Sequence, residues 1–473
     1  MTALLAVLVL GVSTTLWSIV GLGRLIGFQF GRMPAHRSHS SPSADGHPLL
    51  PSDRVIAADV AVLVAAHNEE MVIAETIRAA RRMVAPTNIF VVSDGSTDGT
   101  AQIARAAGVT VLELNPNRGK AGALAAGIES FGLCARFEVV LLLDADTHLS
   151  PGYLRSALPL FDDPEVVAVA GRARTIDDRA SPTRFGRFLL AYRERLYLIV
   201  QLLMKFGQAA RWANAVTIVP GFASMYRTSA LANIDVVGAG LVIEDFNMTF
   251  EVHARRLGRI EFHPWAAVAC TQDPDRLTDY VKQVRRWILG FWQTVRRHRL
   301  RPGVFGVTLA LFIVELITSS VLFVLVLPAL ALTLAADVLQ QLQPDPAGWT
   351  VWLTGLLPPQ QLLIGVLLPD YLLTVMAVCV LRRPRYLLLG IGFPLMRMLD
   401  AVLCLRMLPR AFASSSSGVW VSPTRRANAN RREPPAELTA PPFVPASREG
   451  QMMEFEHLER RGGAPSMLSG GAR

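Results

Sequence analysis

Glu138-Val-Val-Leu-Leu-Leu-Asp-Ala-Asp-Thr147 is the stretch on which the fold turns. Its run of valine and leucine, free of breakers and of any helical period, predicts a fully buried strand of a parallel sheet. Asp144 and Asp146 then stand just beyond the strand's carboxyl end, where open α/β sheets bind ligands. Two carboxylates one residue apart can grip a hard divalent cation through oxygen, and such a cation can hold a diphosphate. The plainer reading is a loop aspartate capping the next helix.

Outward from this run the chain alternates. Strands are expected at Asp59–Ala66, Asn88–Ser93, Val109–Leu114 and Glu138–Leu143. Helices are expected at Glu69–Met83, from about Asp98, and at Gly119–Phe131. Such spacing argues for right-handed crossovers and an α/β domain with a parallel sheet. It places Asn68, Glu69, Asp94, Lys120, Asp144 and Asp146 on one edge.

Each motif on that edge has a mechanical reading. Ser93-Asp-Gly-Ser-Thr-Asp-Gly-Thr100 is a tight turn in which Asp94 points off a strand end, able to accept from an imide N–H or a hydroxyl. Asp98 reads as a helix cap. Asn117-Arg-Gly-Lys-Ala-Gly122 sets Lys120 at a helix start, suited to a phosphate, although a surface lysine after a turn is commoner. Val242-Ile-Glu-Asp-Phe-Asn247 puts Glu244 and Asp245 at the mouth of a helix running to about Leu257. A carboxylate there is a candidate general base, and two acids favouring a helix dipole are the alternative.

Composition bounds the class. The chain has 473 residues, is 51% hydrophobic and carries a net charge of +9, with a mean hydropathy of +0.34. It is too apolar for a wholly soluble enzyme and too charged in its middle for a wholly embedded one. The basic balance favours anionic partners, while no helix-turn-helix, zinc-finger or RNA-binding signature points to nucleic acid. Four cysteines without metal-like spacing read as ordinary thiols.

The apolar mass lies at the two ends. Residues 1–30 read as a membrane anchor with basic residues only at its far side, which puts the following domain in the cytoplasm. Residues 31–54 read as a linker, 55–275 as the α/β domain, 276–302 as an amphipathic interface helix, and 411–473 as a disordered tail. Three more spans are expected within 303–410, at Val304–Ala336, Leu362–Leu381 and Tyr386–Leu408. The link 337–350 lacks Lys and Arg and belongs outside; Arg382, Arg383 and Arg385 belong inside. Three spans would leave a tail bearing Arg425, Arg426, Arg431 and Arg432 outside, unless one segment lies in the interface instead. Glu315, Asp370, Arg397 and Asp400 inside these spans suggest a hydrated path, pairing between helices, or a local pair such as Arg397 with Asp400.

Tyr280-Val-Lys-Gln-Val-Arg-Arg-Trp-Ile-Leu-Gly-Phe-Trp292 carries an apolar stripe flanked by charge, fit for a membrane interface. Gln283, Arg286 and Trp287 break that pattern. Asp94, Asp144-Ala-Asp146, Glu244-Asp245 and Gln283-x-x-Arg286-Trp287, in this order, resemble the processive inverting glycosyltransferases of family 2, which include chitin, hyaluronan and poly-N-acetylglucosamine synthases.

The resemblance implies a GT-A type fold, Rossmann-like with a mostly parallel sheet, and a UDP-sugar donor. It implies that Asp94 binds uracil and Asp144 the donor diphosphate. Asp146, with Asp144, would hold Mg²⁺ or Mn²⁺. Asp245 would deprotonate the acceptor, beside Glu244. Gln283, Arg286 and Trp287 would frame the acceptor end and pyrophosphate. Asn68, Glu69 and Lys120 fall on the donor side. Pro220-Gly-Phe-Ala-Ser-Met-Tyr-Arg227 resembles the family's acceptor-side segment, with Ser224 a lining residue. The chain departs from the family at Ala65-Ala66-His67, where Pro and an aromatic are commoner, and at Ala125, where Asn is often found. No gating-loop motif of the cellulose-synthase kind follows the spans, so a hexosamine product is favoured over cellulose. Three readings remain open: a membrane-embedded polymerising transferase acting on a glycan, a non-processive transferase acting on a lipid or lipid-phosphate acceptor, and an inactive nucleotide-sugar-binding scaffold.

Overall fold

The computed structural model describes residues 2–29, 55–175, 181 and 183–413; the linker and tail expectations lie outside them. The chain opens with two helices, α1 (Thr2–Leu10) and α2 (Val12–Gln29), bent by 69° at Gly11. Gly11 has φ +85°, and a side chain there would collide with the Glu315 carboxylate. That carboxylate accepts from the Ser13 and Thr14 amides at 2.6 and 3.2 Å, satisfying the free amides that open α2. The apolar stretch expected as an anchor thus forms two helices with a bend between them. Its second half packs on the α/β domain: Trp17 is buried, and Arg24 lies over the Phe206 ring at 4.1 Å and 3.7 Å from Glu261.

The α/β domain is built on a seven-stranded sheet of order β3-β2-β1-β4-β8-β6-β9. β1 (Val60–Ala66), β2 (Ile89–Asp94), β3 (Thr110–Leu114) and β4 (Val139–Asp144) are the four expected strands, and they pair in parallel. β1 and β2 are buried at every position and β4 at all but Asp144. This is why they read as unbroken apolar runs and not as alternating ones. The intervening helices α3 (Ile73–Ala80), α4 (Thr100–Ala106) and α5 (Gly119–Ser130) cover the faces. α3 begins later than Glu69 because residues 67–72 form a clasp described below.

Two short strands, β5 (His148–Leu149) and β7 (Arg172–Thr175), pair with β10 (Val268–Thr271) in a second sheet. β6 (Val166–Val169) and β9 (Arg259–Glu261) extend the main sheet in parallel, while β8 (Ala223–Arg227) runs against both β4 and β6. The reversal of β8 matters for the site. Ala223 pairs with Leu143, so the chain entering β8 through Pro220 and Gly221 lies at the same edge as Asp144.

Helices α6 (Arg184–Leu198), α7 (Glu244–Ala254) and α8 (Leu277–His298) connect this domain to the apolar bundle. α9 (Val304–Leu342) is 39 residues long, about 58 Å at 1.5 Å per residue. That exceeds a hydrocarbon core of about 30 Å. A second candidate span covers Gly348–Leu381 and contains α10 (Leu368–Leu381); the third, Tyr386–Ala413, contains α11 (Phe393–Ala413). Both ends of the third segment touch the α/β domain's connecting helices. Near its start, Arg383 is 2.9 Å from Glu194 and Tyr386 also bonds that carboxylate. At its end, Arg296 donates to the Phe412 carbonyl at 3.2 Å.

The charges inside the candidate spans pair between helices, and not as Arg397 with Asp400. Asp370 takes a two-pronged contact from Arg195 at 3.0 and 3.2 Å and a third from Arg397 at 2.9 Å. Asp400 accepts from Tyr192 at 2.8 Å and from Tyr280 at 2.7 Å. Removing one partner from such a buried pair typically costs about 3–5 kcal/mol, because the other charge is stranded.

Candidate active site

The carboxyl ends of β1, β2 and β4 and the entry to β8 form one rim. At the end of β1, Asn68 adopts a left-handed backbone (φ 54°), and its side-chain oxygen accepts from the Thr97 amide at 2.8 Å. The Glu69 amide donates to Thr100 Oγ1 at 2.8 Å, and the Glu70 amide to Asp98 Oδ2 at 3.1 Å. The loops after β1 and β2 are thus clasped together. His67, given no role from the sequence, donates from Nδ1 to the Asp94 carbonyl at 2.6 Å and completes the clasp.

Asp94 is fully buried. Its Oδ1 accepts from the Arg118 amide at 2.7 Å, while Oδ2 is buried without a protein partner. Burial pushes this carboxyl above its ordinary value, and the Arg118 and Gly119 amides recover part of the difference. A buried acceptor lacking its donor is costly. An N–H or O–H from a bound base or sugar would relieve it.

Lys120 sits at the centre. Its Nζ lies 2.7 Å from Asp144 and 2.7 Å from Glu244, and donates to the Gly221 carbonyl at 3.1 Å. α5 carries the lysine, β4 ends in Asp144, α7 opens with Glu244, and the β8 entry supplies Gly221. Four elements meet on one ammonium. Burial disfavours the Lys120 charge, but Asp144 and Glu244 outweigh it and hold the ammonium protonated well above its ordinary value. Burial likewise opposes ionisation of Glu244, and Lys120 outweighs it, leaving Glu244 below its usual range. Gly221 has no room to spare: a methyl there would lie 2.8 Å from Glu244 Oε1 and 3.0 Å from Lys120 Nζ.

The neighbouring carboxylate is different. Asp245 accepts from the Gly221 amide at 3.3 Å and the Phe246 amide at 2.7 Å. Burial first, and the Glu244 charge second, raise it to about 6. Two adjacent acids have been driven apart, one fixed as an anion by lysine, the other set near neutral pH. That separation is how a site assigns acid–base roles to like groups.

Asp144 and Asp146 stand one residue apart past β4, and burial raises Asp144 while the Lys120 charge offsets part of it. Among the described residues no group of three or more His, Cys, Asp or Glu forms a cage. A two-carboxylate set suits Mg²⁺ or Mn²⁺, which complete their shells with water and substrate phosphate. Asp144 is also one of the two carboxylates that share the Lys120 ammonium.

The remaining predicted residues divide. Gln283 and Trp287 lie together on α8, both against Arg193: its Nη2 donates to Gln283 Oε1 at 2.9 Å, and its guanidinium lies 4.3 Å from the Trp287 ring centre. Arg286 is exposed, and its charge helps depress Glu244. Ser224 is fully buried; its hydroxyl donates to the Pro220 carbonyl at 2.6 Å and accepts from the Gly171 amide at 3.0 Å. It shapes the loop that carries Gly221 and has no exposed surface of its own. The sequence reading passed over Arg193, Tyr197, Asp273 and Gly221. For the first two a signal existed: Tyr192-Arg-Glu-Arg-Leu-Tyr197 is a charged run that directly follows the apolar stretch Phe188-Leu-Leu-Ala191.

Residues 61–235 match the family described as glycosyl transferase family 2. The chain is 25% identical over 268 residues to a poly-beta-1,6-N-acetyl-D-glucosamine synthase of Staphylococcus epidermidis, covering 53% of this chain and 61% of that one. It is 31% identical over 247 residues to a probable glycosyltransferase, YdaM, of Bacillus subtilis, covering 49% and 54%. The match thus spans between half and two thirds of these relatives' length. A mannosyltransferase of Pyrobaculum calidifontis, solved with GDP-mannose and Mn²⁺, aligns at 17% identity and a TM-score of 0.44 over 83% of this chain and 98% of that one. The strand order and the rim described above lie within or just beyond the segment, residues 61–235, that matches glycosyl transferase family 2.

Proposed function

We propose that the protein is a membrane-embedded transferase that moves a hexosamine, N-acetylglucosamine first among candidates, from a UDP-sugar to a growing β-linked glycan with inversion. The observation that carries this reading is the meeting of Asp144, Lys120, Glu244 and Asp245 at one rim, beside the buried, half-satisfied Asp94. The synthase names among the relatives support the product class.

In this reading Asp94 Oδ2 receives the uracil imide N–H. The donor diphosphate enters between Asp144 and Lys120, where the ammonium turns from carboxylate to phosphate. A divalent cation held by Asp144 and Asp146 supplies positive charge against the diphosphate when bound. Asp245 takes the proton of the acceptor hydroxyl as that oxygen attacks the anomeric carbon and the nucleoside diphosphate departs from the opposite face. Arg286, near Glu244, adds positive charge on the departing side. Gln283 and Trp287 frame the acceptor. Asn68 and Glu69 act through the clasp that fixes the Asp94 loop.

The bundle lies in the cell membrane with the catalytic domain on the cytoplasmic side. α9 and Gly348–Leu381 form an outward and return crossing, while Tyr386–Ala413 begins and ends on the catalytic side. This assignment puts the arginines at 425–432 inside, in accord with the positive-inside rule.

The test is transfer by purified protein in lipid nanodiscs supplied with individual radiolabelled UDP-sugars, followed by sizing of the product. A polymer from UDP-N-acetylglucosamine is expected. A single sugar on lipid would replace this reading with the non-processive one, and no transfer from any donor would refute both. Asp146→Ala should abolish the cation dependence of UDP binding, measured by calorimetry.

A further inference from the structure

Arg193 is the largest of the fully buried side chains, with a relative exposure of 1%. Its guanidinium is held by four side chains. Nε and Nη2 face Asp273 Oδ1 at 3.3 and 3.2 Å, Nη2 reaches the Tyr197 hydroxyl at 2.8 Å and Gln283 Oε1 at 2.9 Å, and the plane covers Trp287 at 4.3 Å. The Tyr197 hydroxyl in turn donates to Asp273 Oδ1 at 2.8 Å.

The neighbours of Arg193 on α6 are all tied to the bundle: Tyr192 to Asp400, Glu194 to Arg383, and Arg195 to Asp370. Consecutive residues of one helix thus reach into separate elements, and α6 cannot slide or turn without breaking several buried contacts. Arg193 is the member that faces α8. Of the donors a guanidinium offers, one is spent on the Gln283 amide oxygen, so Gln283 meets Arg193 through its oxygen and keeps its NH₂ group for another partner.

We infer that Arg193 is a positioning residue for the acceptor site, fixing the rotamers of Gln283 and Trp287 from beneath so that both present one face to a sugar hydroxyl and ring. The inference rests on the proposed acceptor role of Gln283 and Trp287. Lysine cannot replace it, since a point charge pairs with Asp273 but cannot also lie flat on the indole and direct the amide.

The test compares Arg193→Lys, Gln283→Ala and the double variant in nanodiscs, with UDP-N-acetylglucosamine and a short β-linked N-acetylglucosamine oligomer as acceptor. Arg193→Lys should raise the acceptor KM at least about tenfold and shorten the product, with donor KM and UDP affinity unchanged. The double variant should lose no more than the worse single, because both act on one group. An unchanged acceptor KM in folded Arg193→Lys, or additive losses, overturns the inference while leaving the acceptor role of Gln283 intact. If Gln283→Ala itself leaves acceptor KM and product length unchanged, the acceptor reading and the inference fall together. Should Arg193→Lys fail to fold, Tyr197→Phe removes one hydroxyl from the cluster without stranding a charge. It should raise acceptor KM about twofold to fivefold, and no change in that variant overturns the inference.

Discussion

Acidity gives the sharpest test of the site. Asp245 must be ionised to act as a base, and its carboxyl stands at about 6 where an ordinary aspartate stands at 3.8. The sign follows directly: a raised value means the active form is lost as pH falls through about 6. At pH 7 about 90% of Asp245 is ionised and at pH 5 about 10%, so kcat/KM for the acceptor, at saturating donor and cation, should fall about tenfold. An aspartate at its ordinary value would stay about 94% ionised at pH 5, and the same comparison would show a loss of under about 10%. The second cause of the rise is the Glu244 charge. Glu244→Gln removes it and also frees Lys120 to act on Asp245 more strongly, so both changes move the acidic limb to lower pH. Asp245→Asn should remove the limb and cut turnover by about 10²–10⁴-fold while UDP still binds. Initial rates in nanodiscs, with circular dichroism at each pH to confirm folding, supply the measurement. A flat profile from pH 7 to 5, or a limb that Glu244→Gln leaves in place, refutes the assignment of Asp245 as base.

Three further outcomes follow from the same geometry. Asp94→Ala removes the acceptor offered to the nucleobase and should weaken UDP binding about tenfold by calorimetry, with no comparable loss for a nucleotide lacking an imide N–H. Gly221→Ala drives a methyl to 2.8 Å from Glu244 and 3.0 Å from Lys120; it should lower kcat at least about tenfold with the far-ultraviolet spectrum unchanged, and wild-type kcat would count against the Lys120 hub. A protease site inserted after residue 413 should be cut in inside-out membrane vesicles and protected in right-side-out ones; the reverse would restore three crossings.

The sequence disclosed the parts of the molecule where backbone and side chain obey one local rule. β1, β2 and β4 are buried on both faces, so their composition alone marks them as central parallel strands, and the acids at their ends fall on one edge by topology. β8 escaped because Ala223–Arg227 is short and its partners, β4 and β6, lie far away in the chain. No local period reports that it runs backwards, yet that reversal brings Gly221 to Lys120. The membrane segments show the same limit. Hydropathy measures whether a helix tolerates lipid, and α2 does, with Leu16, Ile19 and Ile26 exposed along it. Hydropathy does not measure what covers the other side. Arg24 was the visible exception in that stretch, and it is the residue that ties α2 to Phe206 and Glu261.

α8 explains why the acid rim and the bundle occur in one chain. Near its start Tyr280 holds Asp400 of α11. One and two turns on, Gln283 and Trp287 receive Arg193. Further along, Gly290 lies against Ile243, where a methyl would approach to 2.9 Å, and Gln293 accepts from the Val242 amide at 3.1 Å. Val242 and Ile243 lead straight into Glu244 and Asp245. A single rigid helix therefore sets the height of the base loop, the acceptor frame and the third apolar segment relative to one another. Its exposed side carries Lys282, Arg285 and Arg286, charges that cannot enter hydrocarbon and that fix how deep the helix can sit. On the proposed membrane placement, the depth of α8 fixes the depth of the chemistry. On the proposed reading, an acceptor chain leaving the rim would meet the bundle at a constant level, because the groups proposed to hold its end and the groups that hold the apolar helices are turns of the same helix.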